Sequence, residues 1–560
     1  MTAVHRCMAA RIKRLLSMKK RTTWFGAVLV LIFAACSVGP MPAGLDLSNT
    51  ALTGQVLQRD ASTVTLNLGE LAVGQTPESA LPAIKIPELT TVSRTSSHTA
   101  PTGQTPETAV QAFVSWQRDT VLDLTGASFY MVTAAGQTEP AHVEDIEPQD
   151  ILHVSMGEDN KPSSVWILGE TSCEVDPEIL QGTTANLIAD NTTQRGSEYT
   201  SQADNENALR VQSATVALHH VRVEKVDGSS TDTTRSRYYG LNAALLATDG
   251  AKLDLTDGVI ASSVQEASGI YGHGIGTEIR LSDSTVTTTE DGAGGLQASG
   301  GAQIQAKNMT VITSGNSAAT VRTEPGGGKI QLEGGTYTSG GYESPVIYAA
   351  GSVKANNAEL TANNSAAVVL DGPGLVTLQN CTVSGNMGTD EGQAPVCAVL
   401  ICGDRETPDE ETAALELSDG SLTARSGDLF YVSGAACNID LKHVSLTGAP
   451  DGALLRAVEN DSSDKAGAVV SLTATRQTLE GNLVVDGTST LQLSLENGSS
   501  LSGAVVRSEA ADGGTISVRI DGGSTWSLTE NSVVDTLENN GTIQYNGYSI
   551  TLGDGTVLTA

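Results

Sequence analysis

Ile279-Arg280-Leu281-Ser282-Asp283-Ser284-Thr285-Val286 is answered by Ile304-Gln305-Ala306-Lys307-Asn308-Met309-Thr310-Val311, and then by Ile330-Gln331-Leu332-Glu333-Gly334-Gly335-Thr336-Tyr337. In each stretch an apolar or aromatic residue stands at i, i+2 and i+7, and the i+4 residue is Asp, Asn or Gly. Alternation over i and i+2 is the mark of a strand with one buried face. A residue type that tolerates positive φ at i+4 predicts a bend before a second short strand carries i+7 inward.

The same rung begins at Val216, Leu253, Ile279, Ile304, Ile330, Val353, Val376, Leu415 and Ile439. Its i+4 positions hold His220, Asp257, Asp283, Asn308, Gly334, Asn357, Asn380, Asp419 and His443. Most starts lie 23 to 26 residues apart, with two longer steps of 37 and 39. A fixed period of this length predicts a solenoid, in which each coil buries its apolar face only against its neighbours. Beyond Ile439 the pattern loosens but continues through Leu491-Gln492-Leu493-Ser494-Leu495 and Ile516-Ser517-Val518-Arg519-Ile520.

Upstream, alternation around Val64, Leu66 and Leu68 predicts strands, as do Thr120–Val132, Ile151–Met156 and Ser164–Leu168. Residues 51–168 therefore read as a small β-domain. Its interruption at 74–109 carries Pro77, Pro82, Pro87, Pro101 and Pro106 and reads as a linker-like insertion. Residues 169–200 read as a connector, and 201–560 as the solenoid.

The 560 residues include 64 acidic and 32 basic side chains, a formal charge of −32. Such a surface disfavours nucleic acid, whose phosphates require cationic partners. Met18-Lys19-Lys20-Arg21 followed by twelve uncharged residues, Trp24 to Ala35, reads as a secretory signal over 1–35, with Met18 as the better-proportioned start. Twelve residues are too few to span a bilayer. Phe33-Ala34-Ala35-Cys36 resembles a bacterial lipobox, although Phe33 stands where Leu is usual. That resemblance implies lipidation of Cys36, a tether over 36–50 and a location on the outer face of the cell membrane. Removing 1–35 takes away seven basic residues and no acids, leaving −39. Cys173, Cys381, Cys397, Cys402 and Cys437 then remain. They have no zinc spacing and are expected to be small buried thiols, with one disulfide among the last four left open.

The bend residues and aliphatic stacks resemble the right-handed parallel β-helix superfamily typified by pectate lyases. Asn205-Glu206-Asn207-Ala208-Leu209-Arg210-Val211, Gly240-Leu241-Asn242-Ala243-Ala244-Leu245-Leu246-Ala247, Gly334-Gly335-Thr336-Tyr337 and Asp428-Leu429-Phe430-Tyr431-Val432 resemble β-helix surface proteins of Gram-positive gut anaerobes, usually described as adhesin-like. Ser524-Thr525-Trp526-Ser527-Leu528-Thr529 also resembles autotransporter passenger repeats. The fold these resemblances imply is all-β: a right-handed, single-stranded parallel β-helix preceded by a small N-terminal β-domain.

Catalysis finds little support in the pattern. Glycosidases need two carboxylates flanking one bond. On the outward i+1 and i+3 positions the adjacent acidic pair is Glu416 with Asp440, expected to be solvated. Gly272-His273-Gly274 resembles a polygalacturonase motif but lacks that family's Asn-Thr-Asp and Asp-Asp partners beside it, and reads as a turn histidine. Two acidic loops, Asp404/Glu406/Asp409/Glu410/Glu411 and Glu459/Asp461/Asp464, are the calcium candidates. Neither has EF-hand or nonapeptide spacing, so no cofactor is assigned. For binding, Tyr271, Gln297, Arg322, Tyr348 and Tyr431 each follow an inward apolar residue on successive or nearby coils. They are expected to share one outer face, either open, where tyrosine rings and a guanidinium suit a sugar or peptide, or covered by the N-terminal domain or long loops. The expectation is a monomeric, non-enzymatic binder of glycans or of host or envelope surfaces. A polysaccharide lyase or hydrolase and a structural spacer are the alternatives.

Overall fold

The computed structural model describes residues 51–73, 111–132, 138–147, 150–157, 160–170, 181–324, 327–388, 395–403, 412–460, 466–508 and 513–560. Cys36, the proline-rich insertion, Cys173 and the acidic residues 404–411, 461 and 464 fall outside them.

Three long, all-parallel sheets follow a small mixed one. The solenoid's first sheet has fourteen strands, from Thr192–Arg195 to Thr536–Asn539. The second has ten, from Glu198–Ser201 to Ser445–Thr447, and the third thirteen, from Leu187–Ile188 to Val505–Arg507. One coil runs from the first sheet through the bend to the second, turns into the third and returns one rung further on. This is the right-handed parallel β-helix expected from the rungs. Ile279 lies opposite Leu253 and Ile304, and Val286 opposite Ile260 and Val311. Like stacks on like, about 4.8 Å apart.

Every i and i+2 residue of the nine rungs is buried, and every i+7 residue except Leu446, which is half-buried. All nine bend residues have positive φ, between 51° and 65°. Asp, Asn and His at eight of them accept this conformation because their short polar side chains tolerate it; a β-branched residue there would cost about 1–2 kcal/mol. The bend side chains also meet along the rod. Asn308 Nδ2 donates to Asp283 Oδ1 at 3.2 Å, and His443 Nδ1 lies 3.1 Å from Asp419 Oδ1.

Leu446 marks a break. The second sheet stops at Ser445–Thr447, and a four-stranded sheet beginning at Thr478–Glu480 takes its place. The buried Gln477 side chain spans the gap: Val444 N–H donates to its Oε1 at 2.7 Å, and its Nε2 donates to Val444 O at 2.8 Å. A side-chain amide thus supplies both hydrogen bonds that a ladder strand would have made.

The solenoid begins earlier than the apolar pattern suggests, within 169–200. Thr192, Gln194 and Arg195 pair with Val216, Leu218 and His219, and Glu198 to Ser201 pair with Arg222 to Lys225. This first coil is polar at i and i+2, with Thr192 and Gln194, and keeps only the bend residue Gly196 at φ 67° and the buried Tyr199 at i+7, so it lacks the full rung signature. Charged clips hold it instead. Buried Arg210 donates to the carbonyls of Gln181 and Gly182 at 3.0 and 2.7 Å. Buried Lys225 donates to Ser201 Oγ at 3.0 Å and Glu206 O at 2.9 Å, and burial pulls its ammonium down to about 8.

The N-terminal sheet has seven strands, of which Ala51–Arg59, Thr63–Val73, Asp150–Met156 and Pro162–Glu170 form the antiparallel centre. Leu52, Leu66, Leu152 and Val165 are among the side chains that pack one face. Ile275, from a turn of the solenoid, is buried in the same cluster. The solenoid therefore contributes directly to the core of the small sheet.

Candidate functional site

The five proposed binding residues do occupy one register column on the outer face of the third sheet. Tyr271 pairs with Gln297, Gln297 with Arg322 and Arg322 with Tyr348. The column continues through Val369, Leu400, Tyr431 and Arg456. Strand period alone puts them there, since each follows an inward residue by one position.

Their exposure divides between the two expectations. Tyr271, Gln297 and Arg322 are 0%, 2% and 5% exposed, while Tyr348 and Tyr431 are half-buried. The longer 37-residue step accommodates the cause, a short helix α1 (Thr233–Tyr239). Tyr271 OH donates to Arg237 O of α1 at 2.7 Å, and Ser299 Oγ donates to Tyr238 O at 3.0 Å. Tyr271 is thus a buried anchor and not an open stacking surface. Burial also pushes its phenol well above the usual range.

Under the same helix lies His273 of Gly272-His273-Gly274, fully buried. Its Nδ1 is 2.8 Å from Ser299 Oγ, and Tyr239 packs at 6.1 Å between ring centroids. Burial lowers its imidazole to about 3. The folded pKa is depressed, so the stabilisation is complete above about 6.5 and is lost progressively as pH falls toward 3. From pH 7 to 4.5 this group should cost about 2–3 kcal/mol. Denaturant unfolding at the two pH values should therefore show a smaller acid loss in His273→Gln than in the wild type; equal losses would remove the assignment.

Beyond α1 the column carries a buried charged centre. Arg322 Nε donates to the buried Glu324 carboxylate, and Arg237 Nε lies 3.8 Å from the same oxygen. Burial disfavours the Arg237 charge, but Glu324, Tyr238, Tyr348 and Glu266 together outweigh it and hold the guanidinium above its usual value. The Arg322 guanidinium sits 4.4 Å over the Tyr348 ring centroid, and Tyr348 OH donates to Asp371 Oδ2 at 2.5 Å. At the far end Arg456 grips Asp428 with Nε at 2.6 Å and a second nitrogen at 3.3 Å. Between them Ala366, Cys397 and Leu400 form an outward apolar cluster with Val369 and Tyr431 against it. The stretch from Tyr348 to Arg456 covers four rung steps, roughly 19 Å.

Glu324, Asp371, Arg456 and Arg237 were not picked out from sequence. Arg456 was within reach: it is the next member of the column after Tyr431. Glu324 and Asp371 lie two residues beyond column members and share their outward parity. Arg237 had no signal, because the helix that carries it interrupts the period.

Glu416 and Asp440 lie opposite one another and are exposed, with Thr377 Oγ1 donating to Glu416 at 3.2 Å. Glu459 is the described member of the two calcium candidates, and no group of three or more potential metal ligands occurs among the described residues. Cys381, Cys397, Cys402 and Cys437 are buried thiols; burial raises those of Cys381 and Cys397, and that of Cys437 to about 12. Among the described residues no helix is long and apolar enough to cross a membrane. A scan against protein-family models and searches of the curated proteins and of the solved structures find no match for this chain. The architecture itself, stacked coils of three parallel sheets, is of the pectate-lyase-like β-helix kind.

Proposed function

We propose that the chain is an exported, non-enzymatic β-helix protein that binds glycans or glycan-bearing surfaces. The observation that carries this reading is the run Tyr348–Val369–Leu400–Tyr431–Arg456, half-buried except for the buried Leu400, an apolar and aromatic floor between two arginine–carboxylate pairs. Tyrosine faces can stack on sugar rings, and the half-buried Arg456, neutralised by Asp428, offers fixed donors without a large field. Several weak contacts along a rod add, and many copies on one surface add avidity. A glycan array with residues 37–560, run beside reducing-sugar and unsaturated-product assays, tests it. Tyr348→Ala with Tyr431→Ala should weaken binding at least tenfold. Turnover of pectin, polygalacturonate or xylan would instead favour a lyase or hydrolase.

The anchor belongs to the same proposal and rests on the Cys36 motif. Wild-type protein should enter the detergent phase and Cys36→Ala should not; equal partition would remove the lipid.

A structural spacer is the second reading. The outer columns of the second sheet favour it, being dominated by hydroxyls: Thr285 and Thr287, Thr336 and Thr338, Ser421 and Thr423, Ser445 and Thr447. Such a face holds water and offers few contacts to a partner.

A further inference from the structure

The apolar face of the N-terminal sheet is spent on its core, and the opposite face carries a row of rings. Tyr130 pairs in register with Trp166, and Trp166 with His153. The Tyr130 and Trp166 rings are stacked at 5.8 Å with 23° between planes, and His153 follows at 5.6 Å. All three are half-buried, and His153 Nδ1 is fixed 3.1 Å from Thr53 Oγ1. Two residues along each strand lies a second row, Ser128–Ser164–Ser155, in the same register and also at least partly exposed. Burial holds His153 neutral above about 4, so neither row carries charge near neutral pH.

We propose that these two rows form a binding site for uncharged carbohydrate, separate from the run on the solenoid. Rings give a sugar its apolar contacts, and the parallel hydroxyl row meets its hydroxyl groups. Three adjacent strands set the ring row at roughly 10 Å, room for two linked sugar rings. An uncharged patch on a chain of net charge −32 selects neutral ligands over acidic ones, because the acidic chain repels an anionic sugar.

The test uses the full mature chain and hexasaccharides of neutral β-glucan, xylan, mannan and galactan, with polygalacturonate as the acidic comparison. Titration calorimetry should show binding of at least one neutral hexasaccharide and preference for it over polygalacturonate. Trp166→Ala should weaken that binding at least tenfold and Tyr130→Ala at least threefold, while Tyr348→Ala with Tyr431→Ala leaves it in place. Trp166→Phe, which keeps a ring, should recover part of the affinity and serves as the folding control. Wild-type affinity in both alanine variants, preference for polygalacturonate, or no binding of any neutral hexasaccharide would overturn the proposal. Loss of this binding in the Tyr348/Tyr431 variant would assign it to the solenoid instead.

Discussion

Tyr271→Ala should destabilise the protein by about 3–5 kcal/mol, the range for removing a fully buried aromatic side chain. The ring packs with Ala243 and Leu246, and its hydroxyl holds both α1, through Arg237 O, and Ser299 at 2.9 Å. Alanine leaves a cavity and strands a helix carbonyl. Tyr271→Phe keeps the packing and should lose only about 1 kcal/mol. Chemical denaturation followed by hydrogen exchange over 233–299 checks both. Unchanged protection in the alanine variant would mean that the helix does not depend on this side chain. The open reading of the sequence pattern points the other way, toward an exposed ring whose loss costs binding and little stability.

Glu324→Gln should cost a similar 3–5 kcal/mol, through charge instead of volume. Glu324 is 1% exposed, and its carboxylate faces the buried Arg322 and the Arg237 of α1. Removing it leaves buried cationic charge without its partner, and that penalty exceeds what the intact pair contributes. Arg322→Met with Glu324→Gln removes the uncompensated charge and should recover much of the loss. The measurement is the denaturation midpoint of wild type, single and double variants. A double variant less stable than the single would refute this account.

The rungs were legible because each states the same physical requirement many times. An inward aliphatic at i+2 must meet its counterpart in the next coil, and a residue tolerant of positive φ must stand at i+4. The register of Tyr271, Gln297, Arg322, Tyr348 and Tyr431 followed from the same parity. What covers that column was not legible. The Tyr271 hydroxyl meets a backbone carbonyl from an irregular insertion, and Arg237 meets Glu324 across several coils. Neither contact leaves a periodic trace. The first coil escaped for a related reason: its strands are held by Arg210 and Lys225 reaching carbonyl oxygens, which any sequence supplies. Gln477 closes the broken sheet in the same way, with an amide that looks like an ordinary surface residue until its partners are known.

The stacking of coils has a mechanical consequence. Hydrogen bonds between neighbouring coils lie along the rod, and the sheet ladders join each coil to the one before and the one after. Tension applied to the two ends of the chain therefore does not load the rod as a whole. It concentrates on the outermost coil and peels its short strands away a few bonds at a time before the next coil feels it. Such a rod lengthens in small steps under modest force and dissipates work at each one. A body that it tethers would be held by a yielding connection and would be spared an abrupt jerk.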